Sequence, residues 1–131
     1  MFVSLWLGIY NKNTKKLIFS NAGHTLPLIK ENNKFKYLDI YPGIIIAILE
    51  DFEYKNEEIT LSDELILYTD GITDGNNKDN EIYGEDRLLN FFNGFKSDED
   101  PITPLLNDIH DFTKEQEQFD DMTLIYLKVK H

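Results

Sequence analysis

Apolar positions crowd both faces of the first segment: Phe2, Val3, Leu5, Trp6, Leu7, Ile9 and Tyr10 all lie within residues 1–10. A strand that is apolar on both faces belongs inside a stack of sheets and not at a free edge. The polar run Asn11-Lys12-Asn13-Thr14 then joins Val3–Tyr10 to Lys16–Ser20, which predicts a hairpin. Asn21-Ala22-Gly23-His24 interrupts the pattern, and Pro27-Leu28-Ile29 resumes it. A second polar turn, residues 30–34, precedes Phe35–Ile40. Tyr41-Pro42-Gly43 punctuates again, and Ile44 to Leu49 reads as a short buried run. Phe52–Leu61 alternates, and Glu64–Thr69 is a compact strand that ends on Asp70-Gly71.

The second half changes period. Asp74 to Asp79 is a polar loop, after which Gly84-Glu85-Asp86 opens a helix with acids at the positive end of its dipole. Leu88, Leu89, Phe91, Phe92 and Phe95 form its apolar stripe. Thr103-Pro104 predicts the start of another helix, with an N-cap residue and a proline at the first helical position. Ile102, Leu105, Leu106, Ile109 and Phe112 recur on one face of it, and residues 114–118 are its solvated end. Met122–Val129 closes the chain as a strand. With no repeats and no linker, the pattern predicts one α+β unit over residues 1–131.

Composition narrows the function classes. The 131 residues are 41% hydrophobic and 13% aromatic, too apolar for a disordered chain. There is no cysteine, which removes disulfides, zinc knuckles and thiol nucleophiles. The formal net charge of −11 argues against nucleic acid, whose phosphates need Lys and Arg, and is compatible with divalent cations or a basic partner. No run approaches the roughly 20 apolar residues that cross a bilayer, and the start lacks the cationic region of a signal peptide. The two-sided first strand fits either a chain cut from something longer or an ordinary buried strand.

Candidate chemistry lies at strand ends. Asp70 follows an apolar strand directly, and Asp120-Asp121 precede the last one. Antiparallel pairing of the two strands would bring these carboxylates together, where they repel unless a cation lies between them. Hard oxygen donors select magnesium or manganese. Asp-Gly is equally a turn dipeptide, and acids before a strand also discourage edge pairing, so spacing alone leaves both readings open. Asp70, Asp74, Gly75 and Glu81 fall at EF-hand positions, but Ile72 and Lys78 occupy liganding places and the preceding segment is a strand. His24 is a loop histidine, a turn residue before it is a ligand or an acid. Ser62 lacks triad partners, and Arg87, the only arginine, is expected to pair with an acid.

Asn21-Ala22-Gly23-His24, Leu67-Tyr68-Thr69-Asp70-Gly71-Ile72-Thr73-Asp74, Tyr83-Gly84-Glu85-Asp86-Arg87-Leu88 and Phe119-Asp120-Asp121-Met122-Thr123-Leu124 occur in that order. Together they resemble the C-terminal half of the stage II sporulation protein E (SpoIIE)-type phosphatases, members of the metal-dependent serine/threonine phosphatases of the 2C class. The resemblance implies a two-sheet antiparallel β-sandwich flanked by helices, present here as a partial domain. It implies hydrolysis of phosphoserine or phosphothreonine on a regulatory protein of the anti-sigma-factor antagonist type. It also implies a cytoplasmic setting, free or as part of a larger sensor, and a two-metal centre of Mn2+ or Mg2+ with a water nucleophile. On the matching positions, Asp70 and Asp120 are implied as metal ligands and catalytic residues, Asp121 as a support for Asp120, Gly71 as a turn residue, and His24 as a weaker metal or phosphate contact.

Departures from the family pattern limit what this chain does alone. The family's other half supplies an acidic residue and a bridging aspartate in an Asp-Gly pair, followed by a Ser-Gly-His-Gly-like stretch. Here the only Asp-Gly pairs are Asp70-Gly71 and Asp74-Gly75. The resemblance therefore implies half a site, weak in metal binding and catalysis by itself. Ile46-Ala47-Ile48 stands where the family often has a glycine, and Asp74 where it usually has glutamate. The competing reading is a non-catalytic interaction module that retains the fold. Self-pairing into a homodimer is one way to cover exposed sheet edges.

Overall fold

Two-residue alternation sorts the strand side chains between two cores. The computed structural model describes residues 2–114, 116–118 and 120–131; the expectations that touch Met1, Glu115 and Phe119 lie outside the described residues. The elements run β1 (Leu5–Asn11), β2 (Lys16–Ala22), β3 (Leu28–Glu31), β4 (Lys34–Tyr37), β5 (Asn56–Thr60), β6 (Glu64–Tyr68), α1 (Asp70–Thr73), α2 (Gly84–Gly94), α3 (Ile102–Thr113) and β7 (Leu124–Lys128). They form a three-stranded sheet, order β1-β2-β5, and a four-stranded sheet, order β4-β3-β6-β7, with antiparallel pairing throughout.

Leu17 and Phe19 of β2 meet Ile29 of β3 and Leu65 of β6 in the core between the sheets, closed by Leu38, Ile40 and Leu61. The alternate residues, Leu28, Ile66 and Tyr68, face the other way and pack with Leu88 and Phe92 of α2 and Leu105 and Ile109 of α3. Full burial of a Leu or Ile contributes about 1.5–3 kcal/mol, so register matters: a one-residue slip of β6 would exchange the two cores. The β3–β4 turn uses Asn32 and Asn33 at φ 50° and 62°, as a two-residue hairpin with two left-handed positions requires. The fold is therefore the expected antiparallel two-sheet sandwich with helices on an outer face.

Several expectations need correction. Among the described residues β1 lies at the edge of its sheet, with β2 its only ladder partner, where the apolar pattern predicts an interior strand. Its inward side chains Trp6 and Tyr10 pack on the inter-sheet core, and Trp6 stacks on Phe19 with ring centroids 5.4 Å apart. Its other apolar face, Leu5, Leu7 and Ile9, is exposed, with Ile18 of β2 beside it. Nothing among the described residues covers that face.

The Ile44–Leu49 run is a loop, half-buried at Ile44–Ile46 and exposed beyond, and not the buried run that its composition predicts. Ala47 has φ 73°, Ile46 makes only a lone bridge with Val3, and Ile48 and Leu49 are exposed. Helix α3 starts at Ile102, so Thr103 lies inside its first turn, and the Asp100 carboxylate accepts the Ile102 N–H at 2.9 Å. Leu106 is exposed despite its apolar spacing. Among the described residues Arg87 lies over a ring and forms no ion pair, its guanidinium 4.4 Å from the Phe112 centroid.

Candidate functional site

The β6–β7 ladder decides where the candidate residues meet. Its register runs from Glu64 opposite Lys128 to Tyr68 opposite Leu124. The C-terminal end of β6 therefore lies beside the N-terminal start of β7, the arrangement that the two apolar runs required. Directly past the ladder the chain leaves β6 and turns into α1 with Asp70 as its first residue. Asp70, Asp120 and Asp121 are all exposed.

The contact between the two segments is made by backbone. A β-carbon added at Gly71 would collide with the Asp121 carbonyl oxygen and lie 2.9 Å from its carbonyl carbon and 3.4 Å from that of Asp120. Gly71 sits inside α1 with no positive φ. Gly71 thus lies in the single helical turn that follows β6, and it is small where the Asp120–Asp121 backbone passes against it. Around this contact, the Asp120 carboxylate accepts the Asp121 N–H at 2.7 Å, and the Gln118 amide donates to the Asp120 carbonyl at 2.8 Å.

The loop that carries His24 is tied to the same end of β6 through Thr25. The buried Asn21 side chain closes its turn, accepting the His24 N–H at 3.0 Å and donating to the His24 carbonyl at 3.1 Å. Pro42-Gly43 seals the turn: the Gly23 N–H donates to the Pro42 carbonyl at 2.9 Å, and Gly43, at φ 64°, has no room for a side chain against the Asn21 carbonyl. The Thr25 hydroxyl donates to the Tyr68 carbonyl, two residues before Asp70. The His24 Nδ1 lies 3.0 Å from the Ser4 hydroxyl.

The structure thus brings the Asp70–Gly71 and Asp120–Asp121 segments into contact and ties the His24 loop to the strand that leads into them. Asp74 and Glu81 make local contacts, the first through its backbone and the second through its carboxylate. The Asp74 N–H caps α1 on the Asp70 carbonyl at 2.8 Å, and Glu81 accepts from the Asn77 amide at 2.8 Å. A cavity of about 120 Å³ lies behind Gly71, lined by Ile109, His110, Gln118 and Met122 among others. Sequence reasoning missed Thr25, Thr69 and Gln118, whose polar atoms tie these segments together. The only available signal was a threonine directly before Asp70.

The donor set fits part of a hard-cation shell. Asp70 and Asp120 offer exposed carboxylate oxygens, the chemistry that Mg2+ and Mn2+ take. Among the described residues, however, no group of three or more His, Asp or Glu side chains is arranged to hold a metal.

Comparison with known proteins gives this geometry a context. The family model described as "Stage II sporulation protein E (SpoIIE)" matches residues 1–130. Protein IcfG of Synechocystis sp. is 26% identical over 128 residues, which is 95% of this chain and 20% of that protein. The phosphatase domain of the cell fate determinant SpoIIE from Bacillus subtilis, presoaked with Mn, superposes with a TM-score of 0.73 at 21% identity, covering 98% of this chain and 57% of that one. The SiaA-PP2C domain of Pseudomonas aeruginosa superposes at 0.82 and 19% identity, over 99% of this chain and 53% of that one. The chain therefore spans little more than half of these solved phosphatase domains, and a fifth of the curated relative.

Proposed function

Since the chain belongs to the SpoIIE family, we propose that it is part of a metal-dependent protein serine/threonine phosphatase and contributes Asp70 and Asp120 to a two-metal centre. The observation that carries this reading is the antiparallel β6–β7 pairing, which sets the Asp70 segment against the Asp120–Asp121 segment. Bound Mn2+ or Mg2+ would supply charge neutralisation at the phosphate and a water of lowered pKa. The chain's own residues hold and orient: Asp70 from the rigid start of α1, Asp120 from a segment braced by Gln118 and by the Asp121 N–H. Asp121 supports Asp120, and His24, carried by the loop tied to β6, is the candidate phosphate contact.

Two carboxylates do not complete a two-metal site, so the remaining ligands come from the part of the domain that the solved relatives have beyond this chain's span. The exposed apolar face of Leu5, Leu7, Ile9 and Ile18 is consistent with a missing layer of that kind. The substrate we propose is phosphoserine or phosphothreonine on a cytoplasmic regulatory protein of the anti-sigma-factor antagonist type. A second reading is an interaction module that keeps the fold without the chemistry, since among the described residues no three His, Asp or Glu side chains gather to hold a metal. Mn2+ binding separates the two. Under the phosphatase reading Asp70→Asn and Asp120→Asn each weaken Mn2+ binding by a domain that contains this chain. Unchanged binding in both variants favours the module.

A further inference from the structure

The residue before Asp70 occupies the N-cap position of α1, where a threonine ordinarily turns its hydroxyl onto the helix's own N–H groups. Thr69 does not: it is extended, at φ −95° and ψ 157°, and makes no side-chain cap. Its backbone N–H still donates to the Thr123 carbonyl at 3.0 Å, one half of the rung that would follow Tyr68 and Leu124 in the ladder. The other half would send the Thr123 N–H to the Thr69 carbonyl. That carbonyl has turned away to accept the Ile72 N–H at 3.1 Å, because the chain has already begun to bend into α1. In its place the Thr69 hydroxyl accepts the Thr123 N–H at 3.0 Å and donates to the Asp121 carbonyl at 3.3 Å.

We infer that Thr69 is a positioning residue whose hydroxyl replaces the ladder acceptor lost at the turn. It lets β6 leave the sheet and present Asp70 while the Asp120–Asp121 segment stays locked in register opposite. An ordinary ladder would keep the register but carry the chain straight on, and an ordinary turn would free Thr123 and loosen the second segment. One hydroxyl serves both demands because it accepts and donates at once. The positional consequence for metal binding rests on the phosphatase reading; the clamp itself does not.

The test compares Thr69→Val, which keeps the shape and loses the hydroxyl, with Thr69→Ser, which keeps the hydroxyl. Amide hydrogen exchange is followed residue by residue by NMR on the full chain. The inference predicts that Thr123 exchanges about tenfold faster in Thr69→Val, the effect of one lost hydrogen bond. Amides in the middle of β6 and β7 should stay as in wild type, and Thr69→Ser should restore Thr123. Unchanged Thr123 exchange in Thr69→Val overturns the inference. So does acceleration spread evenly over β6 and β7, or a serine variant that behaves like valine. Mn2+ titration of the same proteins is the separate arm. A Thr123 effect with no Mn2+ binding, even when the rest of the domain is supplied, sinks the phosphatase reading and leaves the clamp standing.

Discussion

Gly71 and Asp121 are in backbone contact, so close that position 71 has no room for even a methyl group. The atoms in the way are main-chain atoms and cannot rotate aside. Gly71→Ala must therefore displace the Asp120–Asp121 segment or α1. Overpacking of this kind costs about 1–3 kcal/mol. Chemical denaturation should show a loss in that range, and Mn2+ affinity of the domain should fall with it. An alanine variant of wild-type stability would mean that the two segments are not held together.

Glu64 is buried at the opposite end of β6, its carboxylate 2.8 Å from the Lys30 amine and 4.0 Å from that of Lys128. The hydrogen bond to Glu64 is the main cause that raises the Lys30 pKa. Lys30→Met removes the nearer cation and leaves a buried carboxylate with only a distant one. We expect a loss of about 2–3 kcal/mol in urea unfolding, just below the range for fully buried pairs because Lys30 is partly exposed and Lys128 remains. Lys30→Met combined with Glu64→Leu should recover most of that loss, since no charge is then stranded.

Tyr68 is buried near the Tyr37 phenol, whose hydroxyl donates to the Glu85 carbonyl instead; the Tyr68 hydroxyl makes no hydrogen bond of good geometry among the described residues, and burial pushes its phenol up to about 12. The unfolded phenol titrates near 10. Above that pH the unfolded chain binds fewer protons than the folded one, so stability falls with rising pH. The contribution is complete below about pH 10 and drains away as pH approaches about 12. Tyr68→Phe should melt at or near the wild-type temperature at neutral pH, because it removes a buried hydroxyl that makes no hydrogen bond of good geometry among the described residues. Its alkaline decline should be shallower but still present, since Tyr37, Tyr83 and Tyr126 are also raised by burial. Thermal melts across the alkaline range check both points.

The elements nearest the candidate site were the most legible in sequence. Leu65-Ile66-Leu67-Tyr68 and Leu124-Ile125-Tyr126-Leu127 are short apolar runs with acids at facing ends, and antiparallel pairing of such runs leaves one arrangement. Polarity patterns report which side chains favour burial, not whether a partner is there to bury them. That is why Leu5, Leu7 and Ile9 point to an interior strand although nothing among the described residues covers them. Ile44–Leu49 misled for the same reason: its apolar composition predicts burial, yet Ile48 and Leu49 are exposed. Arg87 was assigned an acid because charge is visible in sequence, whereas the Phe112 ring above it is brought there only by the packing of α2 on α3. Gly71 and Thr69 were legible as residue types, but their roles depend on a chain that passes from 50 residues away.

The most direct test of the account is Mn2+-dependent hydrolysis of an aryl phosphate by a domain in which the upstream half precedes this chain, measured for wild type, Asp70→Asn and Asp120→Asn. The account predicts turnover that requires the metal and drops by more than about 100-fold in either variant, a larger loss than outer-shell changes at metal sites cause. It also predicts little or no turnover by residues 1–131 alone. Full activity in Asp70→Asn or Asp120→Asn would contradict it.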